Sequence, residues 1–233
     1  MPKQYQKIAT PPTVGLGAKG LELGGPRISI KSAAYECTKR TMDVCLATVV
    51  LIILSPLMLL VAVLVKLSDF GPVLFCQTRV GRGGRHFTCY KFRSMVPHAE
   101  SLKESLMDLN HHQTGPTFKI PQDPRLTRLG ILLRKTSLDE FPQLWNVIKG
   151  DMSLVGPRPP VPPEVVWYTD FDMRRLEVRP GLTCIWQVNG RSDVPFDGQV
   201  RMDVEYIVNR SIWLDLKLLL LTVPAVLSGK GAY

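Results

Sequence analysis

Two adjacent carboxylates, Asp139 and Glu140, are the residues in this sequence whose type and setting best suit catalysis. Pro142 follows two residues later, and proline is best tolerated in the first turn of a helix, so the pair is predicted at a helix N-terminus. The helix dipole favours ionised carboxylates there, and an ionised Asp is a known type of covalent nucleophile toward phosphorus. The structural alternative is helix capping, because Ser137-x-x-Glu140 matches a capping box.

Basic residues accompany this pair along the chain. Arg158 belongs to a Gly-Pro-Arg-Pro turn at residues 156–159, where the prolines restrict the backbone and would aim one guanidinium. Arginine can bind phosphate through two hydrogen bonds, and carboxylates together with diphosphate oxygens suit Mg²⁺. The cluster predicts a phosphate or diphosphate substrate that binds with Mg²⁺ at Asp139 and Glu140. The cations close to the pair in sequence are Arg134, Lys135, Lys149 and Arg158.

A long apolar stretch precedes this cluster. Residues 44–65 contain no charged side chain, and about 20 apolar residues suffice to span a bilayer as a helix. Ser55-Pro56 divides the stretch near its middle, where proline removes a backbone donor and favours a sharp break. Basic residues flank both ends, so both ends prefer the cytoplasmic side. From the residues alone, a kinked spanning helix and a re-entrant helix–break–helix both fit.

Composition limits the class of protein. The chain has 233 residues, enough for one sizeable domain with a core. Its net charge of +9 predicts an anionic partner, and beside the apolar stretch this favours a membrane face or phosphorylated substrates, with no nucleic acid. The five cysteines are odd in number and scattered without metal-ligand spacing, which predicts reduced thiols rather than disulfides.

Several longer segments resemble the bacterial sugar transferases that initiate polysaccharide assembly, the monotopic phosphoglycosyl transferases. The resemblance covers about residues 39–233 and also includes Lys39-Arg40 with Asp43 and the Ser55-Pro56 break. The matching segments are YKFRSM at 90–95, DPRLT at 123–127, LLRKTSLDEFPQL at 132–144, GDMSLVGPRP at 150–159 and PGLT at 180–183.

This resemblance implies a reaction. It implies transfer of a sugar 1-phosphate from a UDP-sugar to undecaprenyl phosphate, with Mg²⁺ as cofactor, giving undecaprenyl-diphospho-sugar and UMP. Asp139 matches the nucleophile that forms a covalent phosphosugar intermediate, and Glu140 matches its partner in metal binding or acid–base chemistry. Lys91, Arg134 and Arg158 match positions that bind substrate phosphate.

The resemblance also implies an architecture. We expect an α+β, largely helical small catalytic domain on the cytoplasmic face of the bacterial inner membrane, with surface-lying amphipathic helices. Ser55-Pro56 matches the break that makes the membrane helix re-entrant. The predicted division is a flexible tail at 1–34, a membrane helix–break–helix at 35–66 and the catalytic domain at 67–233. Membrane lipid is a further expected partner, and the sequence leaves a homodimer open.

Two other functions fit the same residues. One is a membrane-anchored scaffold for polysaccharide assembly without catalysis, basic because it lies on anionic lipid. The other is a lipid-diphosphate hydrolase that uses the same carboxylate pair with water as acceptor. No motif identifies the sugar.

Overall fold

The computed structural model describes residues 32–102, 105–106, 120, 122–190 and 193–228. The predicted flexible tail therefore lies outside the described residues, apart from 32–34. The described part is mostly helical with four short strands, which confirms the predicted mixture of helix and strand. Its helices are α1 (Ala33–Asp69), α2 (Arg128–Lys135), α3 (Gln143–Lys149), α4 (Pro162–Val165), α5 (Asp170–Met173), α6 (Ile185–Asn189), α7 (Phe196–Asn209) and α8 (Ile212–Ser228). The strands are β1 (Leu74–Val80), β2 (His86–Phe92), β3 (Ser153–Val155) and β4 (Gly181–Thr183).

Helix α1 contains the predicted membrane segment, and it is long and apolar enough to cross a membrane. The backbone stays helical through Ser55-Pro56. Pro56 has no N–H for the carbonyl of Ile52, and the Ser55 hydroxyl donates to that carbonyl instead, at 2.8 Å. The two predicted segments thus form one continuous helix. The return of α1 to the same membrane face stays a prediction.

The N-terminal part of α1 is anchored to the rest of the protein by buried polar contacts. Lys39 Nζ lies 2.7 Å from Asp215 Oδ2 on α8, and Ser153 Oγ donates to Asp43 Oδ2 at 2.7 Å. The guanidinium of Arg40 donates to two carbonyls in the last turn of α3, at 2.6 and 2.8 Å. Because helix C-termini leave carbonyls without intrahelical donors, Arg40 provides a donor for Ile148, whereas the Val147 carbonyl also accepts from the Gly150 N–H.

The C-terminal part of α1 packs on the same domain through apolar contacts. Val61 and Val65 lie in a buried cluster with Phe92 of β2 and Leu133 of α2. Between the two anchored parts, none of residues 48–60 is buried. The exposed section of the helix therefore contains the Ser55-Pro56 pair near its middle. The helix contacts the domain on both sides of this section.

The main core joins α1, α3, the β3–β4 sheet, α7 and α8. Burying these side chains supplies the apolar driving force that holds the elements together. Tyr206 of α7 adds a polar tie, because its hydroxyl lies 3.0 Å from the carbonyl oxygen of Val155 and 2.7 Å from Asp215 Oδ1. The buried members of the cluster are Ala47, Leu144, Val147, Met152, Leu154, Val155, Val178, Tyr206, Ile207 and Leu218.

Two small sheets position the segments that carry the predicted site. Strands β1 and β2 form an antiparallel hairpin, with Leu74 opposite Phe92 and Val80 opposite His86. Strands β3 and β4 are parallel and approach closely at glycine: a Cβ on Gly181 would lie 2.0 Å from the backbone nitrogen of Gly156. A side chain at position 181 would therefore separate the loops that leave this sheet.

Candidate active site

The five residues predicted to carry the chemistry line one cavity of about 830 Å³. They come from separate parts of the chain: from β2, from α2, from the turn between α2 and α3, and from the loop after β3. The fold thus brings the predicted site residues together. The five are Lys91, Arg134, Asp139, Glu140 and Arg158.

The carboxylate pair lies in a short 3-10 helix, Leu138–Glu140, just before α3. Pro142 precedes the first residue of α3, so proline marks a helix start as predicted, with the carboxylates in the turn before it. The predicted capping box is not formed, because the Ser137 side chain makes no capping hydrogen bond. Ser137 has a φ of 55°, a left-handed conformation that is strained for a residue other than glycine. This backbone turns both carboxylates toward the cavity.

Glu140 forms an ion pair with a predicted phosphate-binding residue. Lys91 Nζ lies 2.6 Å from Glu140 Oε1, and about a third of the Glu140 side chain is exposed. Burial acts to raise the pKa of Glu140, but Lys91, with Arg158 and Arg79 behind it, outweighs that effect and holds the pKa below its usual value. Glu140 is therefore an ionised carboxylate in the unliganded protein.

Asp139 has a different environment. It is 7% exposed, and no side chain in the described part of the chain donates a hydrogen bond to it. Burial raises the pKa of Asp139 to about 6, with Glu140 adding to the increase and Lys91 and Arg134 opposing it. A carboxylate that is ionised near neutral pH, poorly solvated and free of hydrogen-bonding side chains is well suited to attack an electrophile.

Arg134 lies on one side of the carboxylates. Its Nε donates to Ser94 Oγ at 3.1 Å. Ser94 is fixed in turn, because the backbone N–H of Thr127 donates to its carbonyl at 3.1 Å. Nearby, Asp123 and Arg125 form a buried ion pair at 2.6 Å that also lines the cavity. The hydrogen bond from Nε thus holds the guanidinium of Arg134 at the cavity wall.

Arg158 lies in the Pro-rich loop after β3, and its charge is among those that lower the pKa of Glu140. Its NH1 is 3.7 Å from Glu164 Oε2, a long ion pair. The loop is held against β1, because Arg79 NH1 donates to the Pro159 carbonyl at 2.8 Å and the Val80 N–H donates to the Pro160 carbonyl at 2.9 Å. The rigid turn predicted from sequence therefore has a second support, which comes from the hairpin.

Arg79 is a cavity-lining residue that the sequence analysis missed. It is buried, its NH2 donates to Gln77 Oε1 at 2.6 Å, and its Nε has no hydrogen-bond partner among the described residues. Burial and the neighbouring Arg158 lower the pKa of Arg79 to about 10, so it stays cationic at neutral pH. One sequence feature could have indicated that Arg79 lies near the site. Gln77 and Arg79 are two residues apart in β1, so their side chains face the same side of the strand.

The carboxylates fit a magnesium ion that is completed by substrate. Among the described residues, no group of three or more His, Cys, Asp or Glu side chains forms a metal site. Mg²⁺ is usually held by one or two carboxylates together with substrate phosphates and water rather than by a complete protein cage. Asp139 and Glu140 supply this kind of donor set at the cavity surface.

Comparisons with known proteins identify the family of this chain. A sequence profile described as bacterial sugar transferase matches residues 34–229. The chain is 46% identical over 200 residues to a protein named galactosyl transferase CpsE of Streptococcus agalactiae, covering 85% of this chain and 44% of that protein. It is 43% identical over 198 residues to the exopolysaccharide production protein ExoY of Rhizobium meliloti, covering 84% and 88%.

A third relative is named for its reaction. The undecaprenyl-phosphate galactose phosphotransferase of Salmonella typhimurium is 47% identical over 198 residues, covering 84% of this chain and 41% of that protein. The chain thus spans less than half the length of CpsE and of the Salmonella protein, but most of the length of ExoY. The matched region includes α1, the carboxylate pair and every cation described above, and the chain therefore belongs to the bacterial sugar transferase family.

Proposed function

We propose that this protein transfers a sugar 1-phosphate from a UDP-sugar to undecaprenyl phosphate, giving undecaprenyl-diphospho-sugar and UMP. The observation that carries the proposal is the convergence of Asp139 and Glu140 with Lys91, Arg134 and Arg158 on one cavity. Relatives named undecaprenyl-phosphate galactose phosphotransferase and UDP-galactose-lipid carrier transferase support this reaction type. The product would begin the assembly of an exopolysaccharide or other glycan.

The proposed chemistry has two steps. An ionised oxygen of Asp139 attacks the phosphorus that carries the sugar, the bond from that phosphorus to the UMP oxygen breaks, and UMP leaves with the electron pair. A phosphate oxygen of undecaprenyl phosphate then attacks the same phosphorus, and the bond to Asp139 breaks. The carboxylate is regenerated, and one phosphosugar has moved from nucleotide to lipid.

The cations of the cavity would stabilise the charge that develops during both steps. Arg134 and Arg158 line the same cavity as the carboxylates and can hold phosphate oxygens. Lys91 keeps Glu140 ionised, which makes Glu140 a suitable oxygen ligand. Bound Mg²⁺ would neutralise diphosphate charge and stabilise the leaving UMP, and Asp139 and Glu140 are the residues that would hold it.

The membrane placement is part of the same proposal. Both ends of α1 pack on one domain, through Lys39 and Asp43 at one end and Val61 and Val65 at the other. A helix that spans a bilayer has its ends on opposite faces, so these contacts support the re-entrant form. We place the domain on the cytoplasmic face of the bacterial inner membrane, in contact with membrane lipid.

The assay that tests the function measures nucleotide release from a panel of UDP-sugars. The detergent-solubilised protein is incubated with Mg²⁺, undecaprenyl phosphate and one UDP-sugar at a time. We expect UMP from at least one sugar, together with a lipid-linked diphosphosugar. Release of UDP instead would mean an ordinary glycosyl transfer and would refute the proposed chemistry.

The pH dependence of the first step is expected to follow Asp139. Because its pKa is raised to about 6, the nucleophile gains a proton as the pH falls through this value. We expect kcat/KM for the UDP-sugar to fall below about pH 6, by about tenfold for each further pH unit. The measurement is kcat/KM for UMP release between about pH 5 and 8.

Changing Lys91 provides the control for that assignment. Lys91 acts to lower the pKa of Asp139, so Lys91→Met should move the acid limb of the profile to higher pH in whatever activity remains. Lys149 is the matched lysine, since it pairs with Asp151 and is more exposed, and Lys149→Met should leave the limb in place. A limb that Lys91→Met does not move would assign it to a group other than Asp139.

A further inference from the structure

Part of the wall of this cavity is apolar, and we call this section the apolar arm. Its wall comes from β4, α6 and α8, and it is formed mainly by Leu182, Trp186, Leu219, Ala225 and Val226. Residues 219, 222 and 226 recur at helical spacing, so one face of α8 supplies much of this wall. The arm is thus a built part of the cavity, continuous with the site that holds Asp139 and Glu140.

The hydroxyl groups in the arm are already bonded to other protein groups. Thr183 Oγ1 and Thr222 Oγ1 lie 2.8 Å apart, and Thr222 Oγ1 also donates to the Leu218 carbonyl at 2.7 Å. The Gln187 side chain, also in the wall, accepts from Cys184 Sγ at 3.1 Å. A uracil or a sugar carries many hydrogen-bonding groups and would find few partners here, whereas a hydrocarbon chain needs none.

Arg158 lies at the end of the arm that faces the carboxylates. Val155 of β3 pairs with Thr183 of β4 in the parallel sheet, and the Gly156 N–H donates to the Thr183 carbonyl at 3.0 Å. The chain after β3 leads to Arg158, and the chain after β4 leads to Trp186, so both leave the same edge of the sheet. Arg134 is instead bonded to Ser94, beyond the end of β2.

The opposite face of α8 is apolar and exposed. Trp213 is 82% exposed, Leu220 is 74% exposed and Val223 is 58% exposed. A helix that is apolar on all sides is typical of a protein core or of contact with lipid. Since its inner face lines the arm and its outer face is uncovered, α8 alone separates the arm from a surface suited to a membrane.

We infer that the apolar arm binds the first isoprene units of the lipid acceptor while Arg158 binds the acceptor's phosphate. This inference rests on the proposed function and adds to it a place for the chain and the phosphate of the lipid acceptor. Charge complementarity at Arg158, an apolar wall without free hydroxyls and continuity with the cavity favour an isoprenoid phosphate as the occupant.

The test fills the arm and measures each substrate separately. In a two-step mechanism with a covalent intermediate, kcat/KM for the UDP-sugar reports the first step and kcat/KM for undecaprenyl phosphate reports the second. Ala225→Trp should lower kcat/KM for undecaprenyl phosphate by about tenfold or more, because a bulky side chain occupies the space of the chain. We expect kcat/KM for the UDP-sugar to change by less than about twofold.

Leu220→Trp is the matched control, because it places the same side chain on the exposed face of α8. It should leave both values near those of the wild type. Unchanged kinetics for Ala225→Trp, or a loss confined to the UDP-sugar, would overturn the inference. If Ala225→Trp lowers both kcat/KM values and also the thermal stability, Ala225→Leu is used instead, because leucine is smaller. The kcat/KM values for the two substrates are then compared in the same way. Release of UMP by the wild-type protein tests the proposed function alone. A failure of the proposed function can therefore be distinguished from a failure of the inference about the apolar arm.

Discussion

Asp139→Asn is expected to abolish transfer, with UMP release falling by about 10⁴-fold or more, as removal of a catalytic nucleophile does in other enzymes. Asparagine keeps the shape of the side chain but cannot supply the ionised oxygen that attacks phosphorus. The second measurement is the intact mass of the protein after incubation with a UDP-sugar and no lipid acceptor. We expect wild-type protein to gain the mass of one phosphosugar, and Asp139→Asn to gain none.

The same substitution should leave the fold intact. Burial raises the pKa of Asp139 to about 6, above its value in an unfolded chain, so at neutral pH the folded state disfavours the ionised form. That cost is absent below the unfolded pKa and appears as the pH rises through about 6. Asparagine removes it, and no side-chain hydrogen bond is lost. We therefore expect the Tm of Asp139→Asn at neutral pH to equal or exceed that of the wild type.

Glu140→Gln is the companion variant. It removes the ion pair with Lys91 but keeps Asp139, so the phosphosugar adduct should still form, although more slowly. An adduct found in Asp139→Asn and lost in Glu140→Gln would assign the nucleophile to Glu140. Polysaccharide assembly in cells that Asp139→Asn leaves unchanged would favour the non-catalytic scaffold. Sugar phosphate released without lipid acceptor would favour the hydrolase.

The site was predictable from sequence mainly where its residues are close together in the chain. Arg134, Asp139, Glu140 and Arg158 lie in one run, and their residue types alone indicated phosphate chemistry. Lys91 is 49 residues away from its partner Glu140. Only the resemblance to a family indicated its role, because residue types do not show which distant segments meet.

Arg79 shows why burial is difficult to predict from residue type. From sequence, an arginine in a basic hairpin is predicted to be a solvated surface residue, since charged side chains are seldom buried without partners. Its main partner is the carbonyl of Pro159, 80 residues later, which no local pattern reveals. The left-handed backbone at Ser137 is similar, because no glycine marks it. The resemblance indicated the general fold, but nothing in the sequence indicated these tertiary contacts.

The membrane helix combines a predictable feature with an unpredictable one. The sequence indicates that Ser55-Pro56 weakens the helix near its middle. It does not indicate that Lys39 pairs with Asp215, 176 residues later. These contacts hold the start of α1 on the domain that also packs against Val61 and Val65. Residues 48–60 lie between, about 20 Å of helix at 1.5 Å per residue, which is shorter than a hydrocarbon core of about 30 Å.

Replacing Ser55 and Pro56 together with leucine is expected to convert α1 toward a spanning helix. Leucine at 56 restores the backbone donor to the Ile52 carbonyl, so the bend is no longer favoured. Without a bend, residues 44–65 extend about 33 Å, enough to cross the hydrocarbon core. The N-terminal end would move to the opposite face, against the buried contacts of Lys39, and activity should fall because α1 would no longer hold the domain in place.

Native cysteines report this change. Cys37 lies near the start of α1 and Cys76 lies on β1, and both are exposed. In a background with Cys45→Ser, a membrane-impermeant thiol reagent should label both from the same side of wild-type vesicles, and Cys37 from the opposite side in the double leucine variant. Val49→Leu with Val50→Leu is the matched control, because it adds leucine to the exposed section without restoring a donor. Unchanged labelling of Cys37 in the double leucine variant would mean that the polar anchors at Lys39 and Asp43, rather than the Ser-Pro pair, determine the side on which α1 begins.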